Sequence, residues 1–342
     1  MTFSEAVADL YYCGFVTLPV PVAPNVYHCS HTGHGFQAAA REIARNLPGQ
    51  VWPGRRGFSW VCGGGGPHGV VFDSGDLAKL HAAQDRLADL GLDRNVWSLG
   101  RAARLLLHFV APGAKAGPGR SAERLLEGIE VGYHDCIPGE YPSATMYDVR
   151  AYYYSLLTRL PSLRVGVLGG KVEFYPMSAD ERARWREVLE VVNEQKVLRN
   201  SIFGAAMGKT GKSTVFHRDK ARPGKVRERR LQLPPGPFRG AGLLVARTAW
   251  ELCRDASEET DSVYSTVDSV TTRSGSEPQT WKGLGLIPER CHEGRAHICG
   301  LGSWRIGDAH EGTKPYRAGM RQPRPVERHE RPQVAYGRAW LV

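Results

Sequence analysis

The stretch from 146 to 153 reads Met-Tyr-Asp-Val-Arg-Ala-Tyr-Tyr, and its one carboxylate is Asp148. Its aromatic and β-branched residues predict the end of a strand. A second β-rich segment, 262–272, has two arms that meet at Val267 and Asp268. This pattern predicts a hairpin with a carboxylate at its tip. If the first strand lies beside the hairpin, Asp148 and Asp268 can bind the same pair of divalent cations.

Two carboxylates that share divalent cations suit in-line phosphoryl transfer. Two cations a few Å apart can activate a 3′-hydroxyl and neutralise a departing pyrophosphate. Mg²⁺, or Mn²⁺ in its place, takes oxygen ligands, and water and phosphate oxygens complete its shell where protein carboxylates are few. Taken singly, each aspartate is better explained as a turn or strand-end residue. The prediction therefore depends on both being present together.

A third stretch, 196–204, reads Lys-Val-Leu-Arg-Asn-Ser-Ile-Phe-Gly. In a helix, Lys196, Asn200 and Phe203 share one face because their spacing is i, i+4 and i+7. A lysine there can hold a triphosphate as a point charge, and Phe203 can present a flat surface to a base pair. The alternative is a solvated lysine on a surface helix. The Asn-Ser-Ile-Phe-Gly composition is unusual for such a surface.

In this order, the three stretches resemble motifs A, B and C of family B DNA polymerases, particularly the compact protein-primed enzymes of phages and linear plasmids. The segment 148–154 keeps the aspartate and the aromatic of D-x-x-S-L-Y-P. The segment 196–204 meets K-x-x-x-N-S-x-Y-G at every fixed position except Phe203, and 264–269 matches Y-x-D-T-D-S except that Thr266 replaces the first aspartate and Val267 the threonine. Leu-Gly-Ser-Trp at 301–304 and Lys-Pro-Tyr at 314–316 resemble the L-G-x-W and K-x-Y elements. The resemblance covers roughly 121–320.

This resemblance implies an α+β fold: a polymerase palm (an antiparallel sheet with helices), fingers, an N-terminal α/β exonuclease-like domain and a short C-terminal thumb. The expected boundaries are 1–115 for the exonuclease-like domain, 116–177 for the first part of the palm, 178–208 for the fingers, 209–310 for the second part of the palm, and 311–342 for the thumb.

The resemblance also implies residue roles. Asp148 and Asp268 would be catalytic and would bind the metal ions, with Val149 as a further ligand. Thr266 is then expected to weaken metal binding without abolishing it. Tyr153 would exclude ribose. Lys196, Asn200 and Phe203 would bind the incoming nucleotide. The residues expected to contact primer and template are Ser201, Gly204, Lys314, Tyr316, Arg227, Arg229 and Arg230.

The expected activity is template-directed DNA synthesis from deoxynucleoside triphosphates on a DNA primer-template, with a terminal protein or other replication proteins as further partners. The acidic exonuclease motifs of the family are not visible in the N-terminal region, and a His-Thr-Gly-His segment stands at 31–34 where an aspartate is expected. We therefore expect no proofreading. Two alternatives remain: a primase or ribonucleotide-tolerant polymerase, and an inactive polymerase-like protein that binds nucleic acid.

The basic composition of the chain favours an anionic partner. The chain has 342 residues and a net charge of +10, and no apolar run approaches the length of a spanning helix, which favours nucleic acid over a membrane. A basic stretch at 218–239 and tail residues Arg317, Arg321 and Arg324 are candidates for phosphate contacts, although a generically basic surface explains the charge equally well.

The N-terminus lacks the segments of a signal peptide, and the seven cysteines are odd in number and scattered. These features favour a reducing, cytoplasmic compartment, here the interior of a bacterial host of a phage or plasmid. Two His/Cys groups, at 28–34 and 291–299, lack paired C-x-x-C spacing and do not predict structural zinc.

Local patterns predict several elements. Helices are expected at 37–47, 77–90 and 241–255, and strands at 57–62 and 69–73. The Ser-Ala-Asp-Glu sequence at 178–181 has the form of a capping box and predicts a helix that continues to about Ser201.

Overall fold

The computed structural model describes residues 1–23, 25–29, 35–54, 57–62, 68–71, 77–94, 96, 98–114, 125, 132–193, 195–208, 211–233 and 236–311. The helices are α1 (Phe3–Tyr12), α2 (Gly35–Asn46), α3 (Leu77–Asp89), α4 (Leu99–Val110), α5 (Tyr152–Leu157), α6 (Ala179–Asn193), α7 (Lys196–Met207), α8 (Arg239–Glu259) and α9 (Gln279–Gly283). The strands are β1 (Val20–Ala23), β2 (Val26–His28), β3 (Gln50–Pro53), β4 (Gly57–Val61), β5 (His68–Val71), β6 (His134–Cys136), β7 (Gly139–Val149), β8 (Val165–Leu168), β9 (Lys171–Phe174), β10 (Gly211–Arg218), β11 (Val226–Leu233), β12 (Ser262–Thr266), β13 (Ser269–Thr272), β14 (Pro288–Gly300), β15 (Ser303–Ile306) and β16 (Ala309–Glu311).

The fold is a mixed α+β fold with two compact units. One unit combines Met1–Ala114 with Ala179–Gly236, and the other combines Lys115–Ser178 with Pro237–Val342. The expected domain boundaries remain predictions. Among the described residues, no helix is both long enough and apolar enough to span a membrane.

The first unit contains a seven-stranded sheet in the order β1-β2-β5-β4-β3-β10-β11. Strands β2 and β5 are parallel, and the other neighbours are antiparallel. Helix α2 packs on this sheet through Ile43, and its core includes Val51, Phe58 and Phe216. A second group of helices, α3, α4, α6 and α7, packs together in the same unit.

Strands β10 and β11 form an eight-residue antiparallel pair that extends this sheet beside β3. The sequence-based boundaries assign 209–310 to the second part of the palm, and this pair lies in the sheet of the first unit. The pairing of Phe216 with Val51 is the reason, because it places a buried aromatic side chain of β10 in the core of the first unit.

The expected helix from 178 to about Ser201 is instead two helices, so that prediction is wrong in its length. Helix α6 ends at Asn193, and Gln195 has an extended backbone before α7 begins. The guanidinium of Arg199 donates a hydrogen bond to the carbonyl of Asn193 at 2.6 Å. This bond satisfies a carbonyl that the end of α6 leaves without an intrahelical partner, which stabilises the break.

The second unit contains an antiparallel seven-stranded sheet in the order β16-β15-β14-β7-β13-β12-β6 and a β8-β9 hairpin. Helix α8 packs against β12, β13 and β8. A Cβ on Gly240 would lie 1.9 Å from the carbonyl oxygen of Val165, so only glycine allows this close approach. The sheet core includes Ala144, Met146, Tyr264 and Ile298. Strand β7 therefore lies near the centre of the sheet, with β13 on one side and β14 on the other.

Candidate functional site

Asp148 and Asp268 lie on neighbouring strands of the second unit. Asp148 is the penultimate residue of β7, and its register partner on β13 is Ser269, the residue after Asp268. The backbone N–H of Val149 donates a hydrogen bond to the carbonyl of Asp268 at 3.0 Å. The two carboxylates therefore project from backbones about one strand spacing apart, roughly 5 Å. The expected placement of the hairpin beside this strand is confirmed.

The hairpin that carries Asp268 has a tight turn. Val267 has a φ of 48°, in the left-handed region that β-branched residues rarely adopt. The N–H of Asp268 donates to the carbonyl of Thr266 at 2.5 Å, and the N–H of Val267 donates to the carbonyl of Tyr133 at 2.7 Å. These bonds hold the turn in a strained conformation and fix the position of Asp268. Strain of this kind is common at functional sites.

Gly132 packs against the hairpin tip. Its φ is +87°, and a Cβ at this position would lie 3.0 Å from Val267 Cγ2, 3.3 Å from His134 Nε2 and 3.8 Å from the Tyr153 hydroxyl. Any larger residue would push against the turn that positions Asp268. Gly132 therefore allows the chain to pass close to the site.

Tyr153 lies near Asp268. Burial raises the pKa of the Tyr153 phenol well above its usual range, and the charges of Asp268 and Cys253 add to the effect. The phenol is therefore neutral and remains a hydrogen-bond donor at neutral pH. Ala151, with a φ of 53°, makes the sharp turn from β7 into α5 that brings Tyr153 here.

Thr266 occupies the position at which the family pattern has another acid. Its hydroxyl and that of Ser269 are 3.1 Å apart and share a hydrogen bond. Within the part of the chain that the structure describes, no group of three or more His, Cys, Asp or Glu side chains is arranged to hold a metal ion. At this tip of the hairpin, the aspartates are thus accompanied by hydroxyl groups.

Sequence reasoning missed two side chains beside Asp148. Glu289 on β14 is the register partner of Asp148 on the side away from β13, and it is exposed. Cys291 follows at an irregularity in β14. The Cys291 residue is exposed, but partial desolvation of its thiol raises the pKa of that group, and the charges of Asp148, Glu289 and Asp268 raise it further. No local sequence signal connects these residues with Asp148, because the register joins segments about 140 residues apart.

The residues expected to bind the nucleotide lie on α7 in the first unit. Lys196 and Asn200 are exposed and Phe203 is half-buried, whereas Leu198 and Ile202 on the opposite side are buried. The three residues therefore share one side of α7, as the spacing predicts. Two further residues of this helix were expected to meet primer or template: Ser201 donates its hydroxyl hydrogen bond to the carbonyl of Val197, and Gly204 is exposed.

The three arginines expected to contact nucleic acid lie on β11, the edge strand of the first sheet, and all are exposed. Arg227 Nε lies 3.1 Å from Asp219 Oδ2, and Arg230 Nε lies 4.0 Å from Glu228 Oε1. Arg229 forms no ion pair with a described residue. Predicted residues Lys314, Tyr316, Arg317, Arg321 and Arg324, nearly all of the expected thumb, and the segment 31–34 lie outside the described residues.

The donor set at the hairpin fits Mg²⁺ or Mn²⁺. The carboxylates of Asp148 and Asp268 and the backbone carbonyl of Val149 are hard oxygen donors, which both ions accept. Magnesium commonly binds through one or two carboxylates and completes its shell with water and substrate phosphates. The chemistry of these donors is therefore compatible with such an ion.

No protein-family profile and no curated protein sequence matches this chain. Among solved structures, similarity is found to phi29 DNA polymerase bound to single-stranded DNA (TM-score 0.43, 11% identity, covering 65% of this chain and 56% of that chain). The phi29 ternary complex with primer-template and incoming nucleotide gives a TM-score of 0.41 and 10% identity, covering 64% of this chain and 57% of that chain.

A third similar structure is the family B DNA polymerase of Pyrobaculum calidifontis, with a TM-score of 0.36 and 14% identity, covering 65% of this chain and 33% of that chain. The chain spans a little over half the length of the phi29 chains. These similarities are distant, with TM-scores below 0.5, so the function proposed below rests on the described residues and on the sequence motifs.

Proposed function

We propose that this chain is a template-directed DNA polymerase that transfers deoxynucleotides to a primer 3′-hydroxyl with two divalent cations. The observation that carries the proposal is the pairing of β7 with the β12–β13 hairpin, which brings Asp148 and Asp268 together. These residues are far apart in sequence, and each belongs to a motif that resembles a polymerase motif. Because fold alone does not specify function, the proposal rests on this site.

Each residue of the proposed site has a separate role. Asp148, Asp268 and the carbonyl of Val149 hold Mg²⁺ or Mn²⁺, which when bound activates the 3′-hydroxyl and stabilises the charge on the phosphates. Tyr153, packed close to Asp268, limits the space at the sugar and disfavours the ribose 2′-hydroxyl. Its neutral phenol also avoids adding a negative charge beside the carboxylates.

Residues of the first unit are proposed to bind the substrates. Lys196 and Asn200, both exposed on α7, are proposed to bind the triphosphate, and Phe203 is proposed to contact the nascent base pair. The exposed arginines of β11 are proposed to bind DNA phosphates. By resemblance, Ser201 and Gly204 also contact primer or template, as do Lys314 and Tyr316.

The biological setting is proposed to be replication of phage or plasmid DNA inside a bacterial cell, with a terminal protein or another replication protein as partner. Residues 1–115 are proposed to form an exonuclease-like domain that does not proofread. A purified protein that removes a mismatched 3′ end, and that loses this ability on substitution within residues 1–115, would contradict the last point.

One observation favours a second candidate, an inactive polymerase-like protein that binds nucleic acid. Thr266 stands where the family pattern has an acid, and its hydroxyl is engaged with Ser269. A site with fewer carboxylates binds cations less tightly. If this loss is not compensated, the chain would bind primer-template without extending it.

Primer extension with purified full-length chain tests the proposal. We expect extension of a DNA primer in Mg²⁺ or Mn²⁺, with deoxynucleotides preferred over ribonucleotides, and no extension by Asp268→Ala. Omission of the primer, and replacement of deoxynucleotides by ribonucleotides, separate a polymerase from a primase. Binding of primer-template without extension in either metal would refute the enzyme and support the inactive binding protein.

A further inference from the structure

Asp148 has a second acidic neighbour. On one side it pairs with Ser269 of β13, and on the other it pairs with Glu289 of β14. Residues directly opposite each other in an antiparallel pair project from the same face, with Cβ atoms roughly 5 Å apart. The pairing is regular here, because the irregularity in β14 lies between Arg290 and His292. Glu289 and Asp148 therefore point to the same side of the sheet.

Two carboxylates placed directly opposite each other repel, which destabilises a sheet unless a cation offsets the repulsion. The adjacent Arg290 is the register partner of Tyr147, so its side chain starts on the opposite face of the sheet, and its Nη1 lies 3.0 Å from the carboxylate of Glu293. The side chain of Glu289 is exposed and makes no hydrogen bond or ion pair with the described residues. The sheet therefore holds Glu289 beside Asp148 with its own carboxylate available.

Asp148 lies between the two segments that carry the other acids. Glu289 is its register partner on β14, and Asp268 immediately precedes Ser269, its register partner on β13. The carbonyl of Asp268 accepts a hydrogen bond from the N–H of Val149, the residue after Asp148. The three carboxylates are thus carried by adjacent segments of one sheet, although they do not form a preformed cluster among the described residues.

We propose that Glu289 is the third carboxylate of the cation site and compensates for the acid that Thr266 lacks. The inference rests on the proposed function and concerns the same site. Its exposed side chain has the rotamer freedom to turn towards cations held by Asp148 and Asp268. A third carboxylate raises the affinity of a hard-cation site because affinity follows the number of charged ligands.

Cation binding to the full chain, measured without nucleic acid, tests this inference. Mn²⁺ binding followed by electron paramagnetic resonance reports affinity independently of polymerase activity. We expect Glu289→Gln to weaken Mn²⁺ binding roughly 10- to 100-fold, the range seen when supporting groups of metal sites are removed. The matched control is Asp308→Asn, which removes an exposed acid from the β15–β16 turn of the same sheet and should leave binding unchanged.

Thermal unfolding provides a second readout. Without cations, Glu289→Gln should be at least as stable as the wild type, because the repulsion with Asp148 is gone. With saturating Mn²⁺ it should gain less stability than the wild type. Introducing Thr266→Asp into Glu289→Gln should restore part of the lost affinity.

The possible failures are distinguishable. If Asp148→Asn abolishes Mn²⁺ binding and Glu289→Gln binds as tightly as the wild type, the role of Glu289 is refuted and the proposed function stands. If Asp148→Asn binds Mn²⁺ as the wild type does, the site itself is wrong, and both proposals fail.

Discussion

The two seven-stranded sheets of this protein differ in the sign of the charged side chains discussed above and in the strands that carry them. In the antiparallel sheet of the second unit, acids lie at the centre, where Asp148 on β7 has Ser269 on one side and Glu289 on the other. In the mixed sheet of the first unit, arginines line the edge strand β11. A central strand fixes a side chain through two neighbours, whereas an edge strand leaves it open to solvent.

Under the proposed function, this difference corresponds to different uses. Cation chemistry requires carboxylates held within a fraction of an ångström, and two flanking strands provide that constraint. Binding to DNA phosphates requires accessible positive charge and little precision. The competing explanation for β11 is that its arginines only prevent edge-to-edge association, since charged residues commonly protect such edges.

The largest effect is expected at the centre of the second sheet. Asp148→Asn and Asp268→Asn should each reduce primer extension by roughly two to three orders of magnitude, the loss typical of removing one electrostatic contact to the transition state. The double variant should be little worse than either single one, because the two residues act as a unit. Single-turnover primer extension measures all three.

DNA affinity is the control for these variants. Both should bind primer-template as tightly as the wild type, because the arginines proposed to bind DNA phosphates lie on the other sheet. Extension at the wild-type rate by Asp148→Asn would show that the acids at the centre of the second sheet are not needed for catalysis.

A smaller effect is expected from Tyr153, which packs beside the hairpin. Tyr153→Val should increase ribonucleotide incorporation relative to deoxynucleotide incorporation by roughly 10- to 200-fold, the range for steric discrimination of one small group. Tyr153→Phe keeps the ring and should keep the discrimination. Competing incorporation of the two nucleotides on one template gives the ratio. An unchanged incorporation ratio in Tyr153→Val would show that Tyr153 does not select the sugar.

The edge strand should give a more modest result. Removing Arg229, which has no ion pair among the described residues, should weaken DNA binding equally for all sequences and reduce the salt dependence by about one unit of slope. Arg94→Ala is the control, because Arg94 is exposed in the same unit and its Nη2 lies 3.4 Å from Asp85. Fluorescence anisotropy at several salt concentrations measures the slope. A DNA affinity unaffected by Arg229→Ala would favour edge protection as the only role of this residue.

The smallest effect concerns the Cys291 thiol. Because partial desolvation and the nearby carboxylates raise its pKa, the alkylation of this exposed thiol should be slow at neutral pH and should accelerate above the ordinary thiol pKa. Asp148→Asn removes a negative charge, which lowers this pKa and shifts the pH profile of alkylation to lower pH. Site-resolved mass spectrometry of iodoacetamide labelling measures the profile. Asp308→Asn should leave the pH profile of alkylation unchanged. A wild-type profile in Asp148→Asn would show that the charge of Asp148 does not act on the Cys291 thiol.

The elements around the aspartates could be predicted because their signals are local. β-branched residues flank a two-residue turn at Val267 and Asp268, and this pattern specifies a hairpin. Strand β11 was not predicted, since its run of arginines is typical of a solvated segment and its pairing with β10 supplies the strand. Glu289 was missed for a different reason: its position opposite Asp148 depends on a register that no local pattern contains.

The helix break before α7 shows the same limit. The capping box correctly indicates a helix near 179, but its end depends on the hydrogen bond from Arg199 to Asn193. The shared face of Lys196, Asn200 and Phe203 was predictable because it follows from the helical period alone.

Anomalous diffraction from crystals grown with Mn²⁺ and a non-hydrolysable deoxynucleoside triphosphate tests the central claim most directly. The account predicts manganese peaks within coordination distance of the carboxylates of both Asp148 and Asp268. Peaks bound only elsewhere, with these two carboxylates left without a cation, would contradict it.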